Sequence, residues 1–347
     1  MLLNQDYIDP TTLTGYARQA LMDLPVNQAQ LAQWLPNRLI DDLAFRFTRG
    51  GGGLVDAAEY RAYDAESPIG NRPGVTRVSG ELPPISRKIR LGEYDRLRQR
   101  KIGADEAIRA AILSDAESMV RSVAARIEKA RGDALVTGSV TIAENGVVAT
   151  VDFGRTAGHT TTAGTLWSDT TNAKPVDDLD TWVTTYSDNT GSVPGAIVMS
   201  KKNFGYLTRN AQVKNVASAG GITPNIVSAS TVRDVLGAYD LPPIYLIDSR
   251  VRINGVATRI IPENRVLLLP APGDQGNVEG TDLGATFWGT TSESLEPDFG
   301  LVGGQEAGIV AGAYRDFDPV AQWTKAAAIA LPVLANPDLS FAATVAA

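Results

Sequence analysis

The sequence contains no cysteine and a single histidine, and these two scarcities exclude whole classes of chemistry. Without thiols there are no disulfides, no thiolate nucleophiles and no sulfur ligands for zinc, so the chain neither needs an oxidising compartment nor offers redox chemistry. Histidine is the usual general base near neutral pH and the commonest metal ligand. Here it is confined to His159, in the Gly/Thr-rich stretch RTAGHTTTAG, and it reads as an exposed loop residue. Long apolar runs are missing too. A membrane span needs about 20 apolar residues, whereas the run at 326–334 is less than half that length and carries Pro332. It reads as a buried strand, with the proline marking an edge or a bend. The opening residues show no basic start followed by an apolar core, so no secretory signal is expected. Basic charge is also short, with 32 Lys and Arg against 39 Asp and Glu and a net charge of -7. That balance argues against a dedicated nucleic-acid binder, because duplex affinity comes largely from cations neutralising phosphates.

What remains is an ordinary globular composition, 44% hydrophobic over 347 residues, long enough for two or three compact units or one large irregular one. Residues 1–55 read as an arm with short helical patches at 13–22 and 28–33. It ends in four glycines, Gly50 to Gly53, that read as a hinge and lack the spacing of a phosphate loop. Residues 57–91 show two charge-alternating extended segments around a Pro/Gly-rich middle. This suggests a long two-stranded arm with Arg61, Arg77, Arg87, Lys88 and Arg90 along it. An isolated ribbon is marginal in water, so such an arm needs support, most simply from another copy of the chain.

The clearest periodicity follows. Ile108, Ile112, Ala116, Met119, Val123, Ile127, Ala130 and Ala134 recur every three or four residues and predict one long helix, a spine ending between Gly132 and Gly138. Asn145-Gly146 then predicts a hairpin in which Val140 faces Val151 and Ile142 faces Ala149, its apolar face packing on the spine. Between about 176 and 275 strands and helices alternate as in an α/β or α+β unit of its own, including one helix over 201–217. From 308 the pattern returns to strands, expected to complete the sheet begun by the hairpin, so that the second unit is an insertion in the first.

Candidates for chemistry are few. Asp177, Asp178 and Asp180 could hold a divalent cation, but they sit in the first helical turn after Pro175, where the helix dipole alone favours acids. No nucleophile elbow, zinc-helix, P-loop or EF-hand spacing is present. The densest basic run, YDRLRQRKIG, places Arg96, Arg98, Arg100 and Lys101 just before the spine. It could contact nucleic acid or an acidic surface on a neighbouring copy, or simply be solvated.

This order of parts resembles the tailed-phage major capsid proteins of the HK97-like fold, and within them the lambda-type, protein E branch. Two stretches carry the likeness locally. IYLIDSRVRINGVATRIIPENRVLLLPAPGDQGNVEGTDLGATFWG has the branch's Gly255 turn, the Pro262-Glu263-Asn264 turn, the apolar strand ending at Pro270 and a Gly-rich exit, and DPVAQWTKAAAIALPVLANPDLSFAATVA places Pro332 and Pro337-Asp338 as its C-terminal strand pair does. The resemblance implies an α+β fold: an N-terminal arm over 1–55, an extended β-hairpin E-loop over 56–95, a peripheral domain of spine helix and hairpin over 96–155, an inserted axial α/β domain over 156–305, and return strands completing the peripheral domain over 306–347. It implies a structural protein rather than an enzyme, without cofactor or bound metal, that self-assembles into hexamers and pentamers of an icosahedral shell enclosing double-stranded DNA. The implied place is the virion, after assembly in the host cytoplasm. The implied partners are further copies, a scaffold, a portal and decoration proteins, with packaged DNA nearby but not specifically bound, and no membrane. Inter-subunit contact then falls to Arg61, Arg72, Arg77, Arg87, Lys88 and Arg90, and Arg96, Arg98, Arg100 and Lys101 form an inner-surface or neighbour-contact patch. Some family members crosslink an arm lysine to a neighbour's asparagine. Lys88 is the arm's one lysine and lies at its base, so no crosslink is expected. The competing expectation is a metal-assisted hydrolase using Asp177, Asp178, Asp180 and His159.

Overall fold

The computed structural model describes residues 3, 6–24, 29–49, 60–61, 63, 66, 76–98, 104–144, 146–218, 224–274, 279–301, 307–318 and 320–347. The chain runs through α1 (Pro10–Met22), β1 (Asn37–Leu39), β2 (Ala44–Arg49), β3 (Thr76–Glu81), β4 (Pro84–Leu91), α2 (Glu93–Arg98), the spine α3 (Ala104–Thr137), β5 (Ser139–Glu144), β6 (Val147–Asp152) and β7 (Thr160–Thr162). It continues through α4 (Pro175–Thr190), β8 (Ala196–Met199), α5 (Lys201–Leu207), α6 (Ala211–Ala217), α7 (Ala229–Ala238), β9 (Ile244–Leu246), β10 (Arg250–Ile253), β11 (Val256–Arg259), β12 (Arg265–Leu269) and β13 (Gly284–Gly289). It closes with β14 (Val310–Phe317), β15 (Val320–Leu334) and β16 (Phe341–Thr344). Among the described residues no helix is long and apolar enough to cross a membrane.

Local chemistry sets the helix ends. Asp9 accepts from the backbone N–H of Thr11 and Thr12 ahead of Pro10, a capped start to α1. The helix expected over 201–217 is two helices, because Asn210 stops the first and caps the second. Its side-chain oxygen accepts from Gln212 and Val213 N–H while its amide nitrogen donates to the Ala173 carbonyl at 2.9 Å. The spine is 34 residues long and runs through Gly132. Its predicted stripe is buried from Ile108 to Ala134 except for Ala130, which is partly exposed.

Two five-stranded sheets carry the molecule. In the first, β1, β13, β15 and β14 follow in order and β4 pairs with β15, while the second runs β7-β16-β12-β8-β9. Ala326, Ala328 and Ala330 of β15, with Ala311 and Ala313 of β14, turn one face of the first sheet toward α3 and α1. Their small side chains let the helices approach closely. The second sheet packs its own core of Trp167, Trp182, Tyr186, Phe204 and Phe341.

The β5–β6 hairpin has the expected register, Val140 opposite Val151 and Ile142 opposite Ala149, and its apolar face joins the core beneath the spine's C-terminal end. The expectation that the return strands complete its sheet is corrected: β5 and β6 pair only with each other, β14 and β15 pair with β13 and β4, and β16 crosses to the second sheet between β7 and β12. A short turn at Pro337–Leu339 redirects the chain, and burial of Phe341, Ala342 and Ala343 in the second sheet drives the crossing. Pro332 lies inside β15, but its nitrogen points to the β4 side at a level beyond the start of β4. Ala330 N–H donates to Pro83 there, and alternation along the strand puts residue 332 on the same flank with no strand opposite. The missing N–H costs no ladder bond.

The arm also differs from expectation. Its described ribbon is β2 against β3, from Ala44 opposite Glu81 to Arg49 opposite Thr76, so the N-terminal segment supplies one strand. β4 is not part of the ribbon. It lies along β15 from Leu91 opposite Gln322 to Pro84 opposite Ile329.

Candidate inter-subunit surface

The face of the first sheet turned away from α3 holds two of the cations that the sequence singled out, Lys88 and Arg90. Tyr314, Trp323 and Arg90 lie opposite one another across β14, β15 and β4 and therefore share a face, with Lys88 two residues along. The Tyr314 and Trp323 rings stack with centroids 6.3 Å apart. Lys88 Nζ sits 4.6 Å from the Trp323 centroid and the Arg90 guanidinium 5.9 Å from it. Such cation–π contacts at an exposed site are worth about 0.5–1 kcal/mol each, which biases the two long side chains toward the ring without fixing them. Lys325, on the same face, is tied to Glu293, whose carboxyl is held below its ordinary range by that lysine's hydrogen bond against the opposing effect of burial. Arg87 points to the opposite face, where its guanidinium donates to Ser122 Oγ of the spine at 2.8 Å.

The remaining candidates distribute differently. Arg61 is exposed beside the fully exposed Tyr60 and Tyr63. Arg77 is in β3 opposite Thr48, and Arg96 and Arg98 are in α2, but the side chains of all three lie outside the described part of the structure, as do residues Arg72, Arg100 and Lys101 altogether. At the end of the sheet next to α2, Val320 N–H donates to Glu93 Oε1 at 3.2 Å, and Tyr94, Leu97 and Phe317 stand exposed around it.

The aromatic pair was invisible in sequence. Its members become neighbours of Lys88 and Arg90 only through strand register between segments more than two hundred positions apart.

The hydrolase residues do not form one site. Asp178 accepts a hydrogen bond from Trp167 Nε1 at 2.9 Å, and burial raises its pKa. Asp177 accepts from Gln212 and lies 3.8 Å from Lys174 Nζ. His159, expected to be exposed, is fully buried between Tyr186 and Phe341, with Nε2 at 3.1 Å from the side-chain amide of Asn189. Asn189 is at the far end of α4 from Asp178, roughly 16 Å away along the helix axis. Among the described residues no group of three His, Asp or Glu side chains is placed to hold a metal.

Burial lowers the His159 pKa below 6.5 against the opposing pull of Asp338, so folding favours the neutral ring. A histidine depressed in this way adds stability above its unfolded pKa and loses it as pH falls through 6.5 toward the folded value. His159→Gln is therefore expected to flatten the fall of melting temperature below about pH 6.5 relative to the native chain. Parallel curves for the two proteins would mean that His159 does not titrate with folding.

The family model for phage major capsid protein E matches residues 47–345. Among solved structures the chain is similar to a candidate capsid protein of a prophage in E. coli CFT073, at 11% identity and a TM-score of 0.64 over 98% of this chain and 99% of that one. It is also similar to a phage-related protein from Bordetella bronchiseptica RB50, at 12% identity and a TM-score of 0.61 over 99% of both chains. At such identities the likeness is one of fold. No curated protein matches the sequence.

Proposed function

The chain belongs to the phage major capsid protein E family, and from that premise we propose how its parts divide the work of building a shell. It is a structural capsid protein with the HK97-like α+β fold, not an enzyme, and its place is the virion. Copies of the chain assemble with one another into the shell. In our reading they do so as hexamers and pentamers of an icosahedral particle, formed in the host cytoplasm around a scaffold and a portal and open to decoration proteins. Packaged DNA lies close by without specific contact. The net charge of -7 keeps the inner wall from adhering to it.

The principal inter-subunit element is the E-loop arm that leaves the molecule through β2 and returns through β3. A two-stranded ribbon has too little core to stand alone, and the described part of this one is anchored at its root, where Phe45 stacks on Phe287 at 6.4 Å and Leu82 is buried. Beyond the root, Tyr60 and Tyr63 are bare to solvent. In the shell they are covered by a neighbour. Segment 56–66 carries Asp56, Glu59, Asp64 and Glu66, an acidic complement to the Lys88, Arg90 and Trp323 face. In this reading Arg61, Arg72 and Arg77 supply the arm's own basic contacts, and Arg96, Arg98, Arg100 and Lys101 supply an inner-surface or neighbour-contact patch.

Deleting residues 62–75 while keeping β2 and β3 tests this. Subunits should melt as the native chain does and elute as monomers or capsomers, with no shells by negative-stain electron microscopy. Normal shells from the deletion would remove the arm from the assembly mechanism.

A further inference from the structure

Among the described residues β4 and β5 each keep one edge without a partner strand, and both line one groove over the spine. β4 pairs with β15 through its odd-numbered residues, as the bond from Ala330 N–H to the Pro83 carbonyl at 3.3 Å fixes. Because backbone groups alternate sides along a strand, the N–H and C=O of Ser86 and Lys88 point away from the sheet. β5 pairs with β6 through its even-numbered residues, since Phe153 N–H donates to the Gly138 carbonyl at 3.0 Å in the register that sets Val140 opposite Val151. Thr141 and Ala143 therefore turn their backbone groups outward. Ser139 would do the same, but Thr137 already satisfies it: its hydroxyl donates to the Ser139 carbonyl at 2.8 Å and accepts from Ser139 N–H at 3.3 Å. The chain has capped the one outward position close to its own helix end and left the next two open.

Between the edges is a groove of about 230 Å³, walled by Pro84 and Ser86 on one side and Thr141 on the other, with Ile127 and Ala130 of α3 on its floor among Arg126, Lys129 and Asp133. The residues of β6 do not line it, which places the open edge of β5 toward the groove. The charges along it are already paired, Arg126 with Glu144 at 3.1 Å and Lys129 with Asp133, so the groove selects no net charge. Outward-turned backbone donors and acceptors on both walls, over a floor that mixes Ile127 and Ala130 with charges already paired, fit one extended strand. Natural proteins shield such edges because they recruit other chains.

We propose that this groove receives an extended segment of a second copy of the chain, which adds a strand between β4 and β5 and joins sheet and hairpin into one layer over the spine. The assignment of the occupant rests on the capsid reading: in a shell of one repeating chain, the segment that meets an open edge belongs to a neighbour. It is also continuous with the proposed arm contact, because the strand that offers its edge here offers Lys88 and Arg90 to the neighbour on its outer face.

Amide hydrogen exchange on shells made from this chain alone, against the same shells dissociated into subunits, tests the proposal. Ser86, Thr141 and Ala143 should exchange rapidly in subunits and on the order of 100-fold more slowly in shells. Equal rates in particles verified by microscopy would overturn the strand while leaving the capsid reading standing. Protection that appears only when a second kind of protein is present would overturn the choice of occupant. Thr141→Pro removes an N–H that the hairpin does not use. It should leave the subunit folded and shells absent or dissociating at lower denaturant. Native shells from a folded variant would count against the groove, and if the variant does not fold, the exchange measurement decides.

Discussion

Replacing Arg131 by methionine is expected to cost about 3–5 kcal/mol of subunit stability, read from the denaturant midpoint of the unassembled chain. Arg131 and Glu128 are both buried, 4% and 1% exposed, and pair at 2.9 Å one turn apart on the spine. The pair is a junction. The other Glu128 oxygen accepts from Leu31 N–H at 2.7 Å, and the guanidinium donates to Thr286 Oγ1 at 2.9 Å and to Asn37 Oδ1 at 2.7 Å. Asn37 also accepts from Trp288 Nε1, and Thr286 in turn donates to the Leu35 carbonyl. Removing the arginine alone strands a buried carboxylate and leaves Asn37 and Thr286 each short of a partner, so the desolvation already spent on Glu128 is no longer offset. Changing both, Arg131→Met with Glu128→Gln, should recover more than half of the loss, because the amide oxygen still accepts from Leu31 and no charge remains buried. A single-variant loss below about 1 kcal/mol would mean that the junction is solvated in solution. The junction fastens the N-terminal segment across α3 and β13. Its loss should therefore free residues 29–37 before the rest of the subunit unfolds, visible as early exchange of their amides.

How much of this was legible depends on where each residue's partners lie along the chain. The spine stripe and the hairpin register were readable because every contact that defines them is within a few turns or across a two-residue turn. His159 was misread because its sequence neighbours are small and polar, while the groups that bury it, Tyr186 and Phe341, come from a distant helix and strand. Asn210 split a helix for a similar reason: its cap is local, but its donation to Ala173 depends on how α4 is approached. The basic residues at 87–90 were read as part of the two-stranded arm, whereas they lie in β4 along β15. Their charge alternation suits an edge strand as well as a ribbon, and only pairing with β15 separates the two. In the candidate surface, what sequence could supply was the cations. The aromatic platform beneath them and the open edge beside them are products of register.

Gly132 shows the same limit, and it carries the second large effect. In sequence it opens the stretch, Gly132 to Gly138, in which the spine is expected to end, and glycine in a helix costs about 1 kcal/mol relative to alanine. The helix nevertheless continues to Thr137. Its reason for being glycine is tertiary: a Cβ at this position would lie 2.4 Å from the backbone oxygen of Ile260 and 2.8 Å from its Cγ2. Ile260 and Ile261 are buried at the end of the β10–β11 hairpin, in the same core as Ala134 and Leu135. The obstructing atom is a carbonyl, so no rotamer change relieves the clash and either the spine or the hairpin has to move. Gly132→Ala is therefore expected to destabilise the subunit by about 1–3 kcal/mol despite its better helix propensity. Gly132→Ser should be at least as harmful. A gain of about 1 kcal/mol on Gly132→Ala, the ordinary result in an exposed helix, would mean that spine and hairpin do not touch in solution. The contact also has a consequence for assembly. Gly132 is where the spine meets the hairpin leading into β12, the central strand of the second sheet, so any shift forced there tilts that sheet against the spine. Subunits of Gly132→Ala that still fold should then give misshapen particles before they give none, because each neighbour inherits the error in angle.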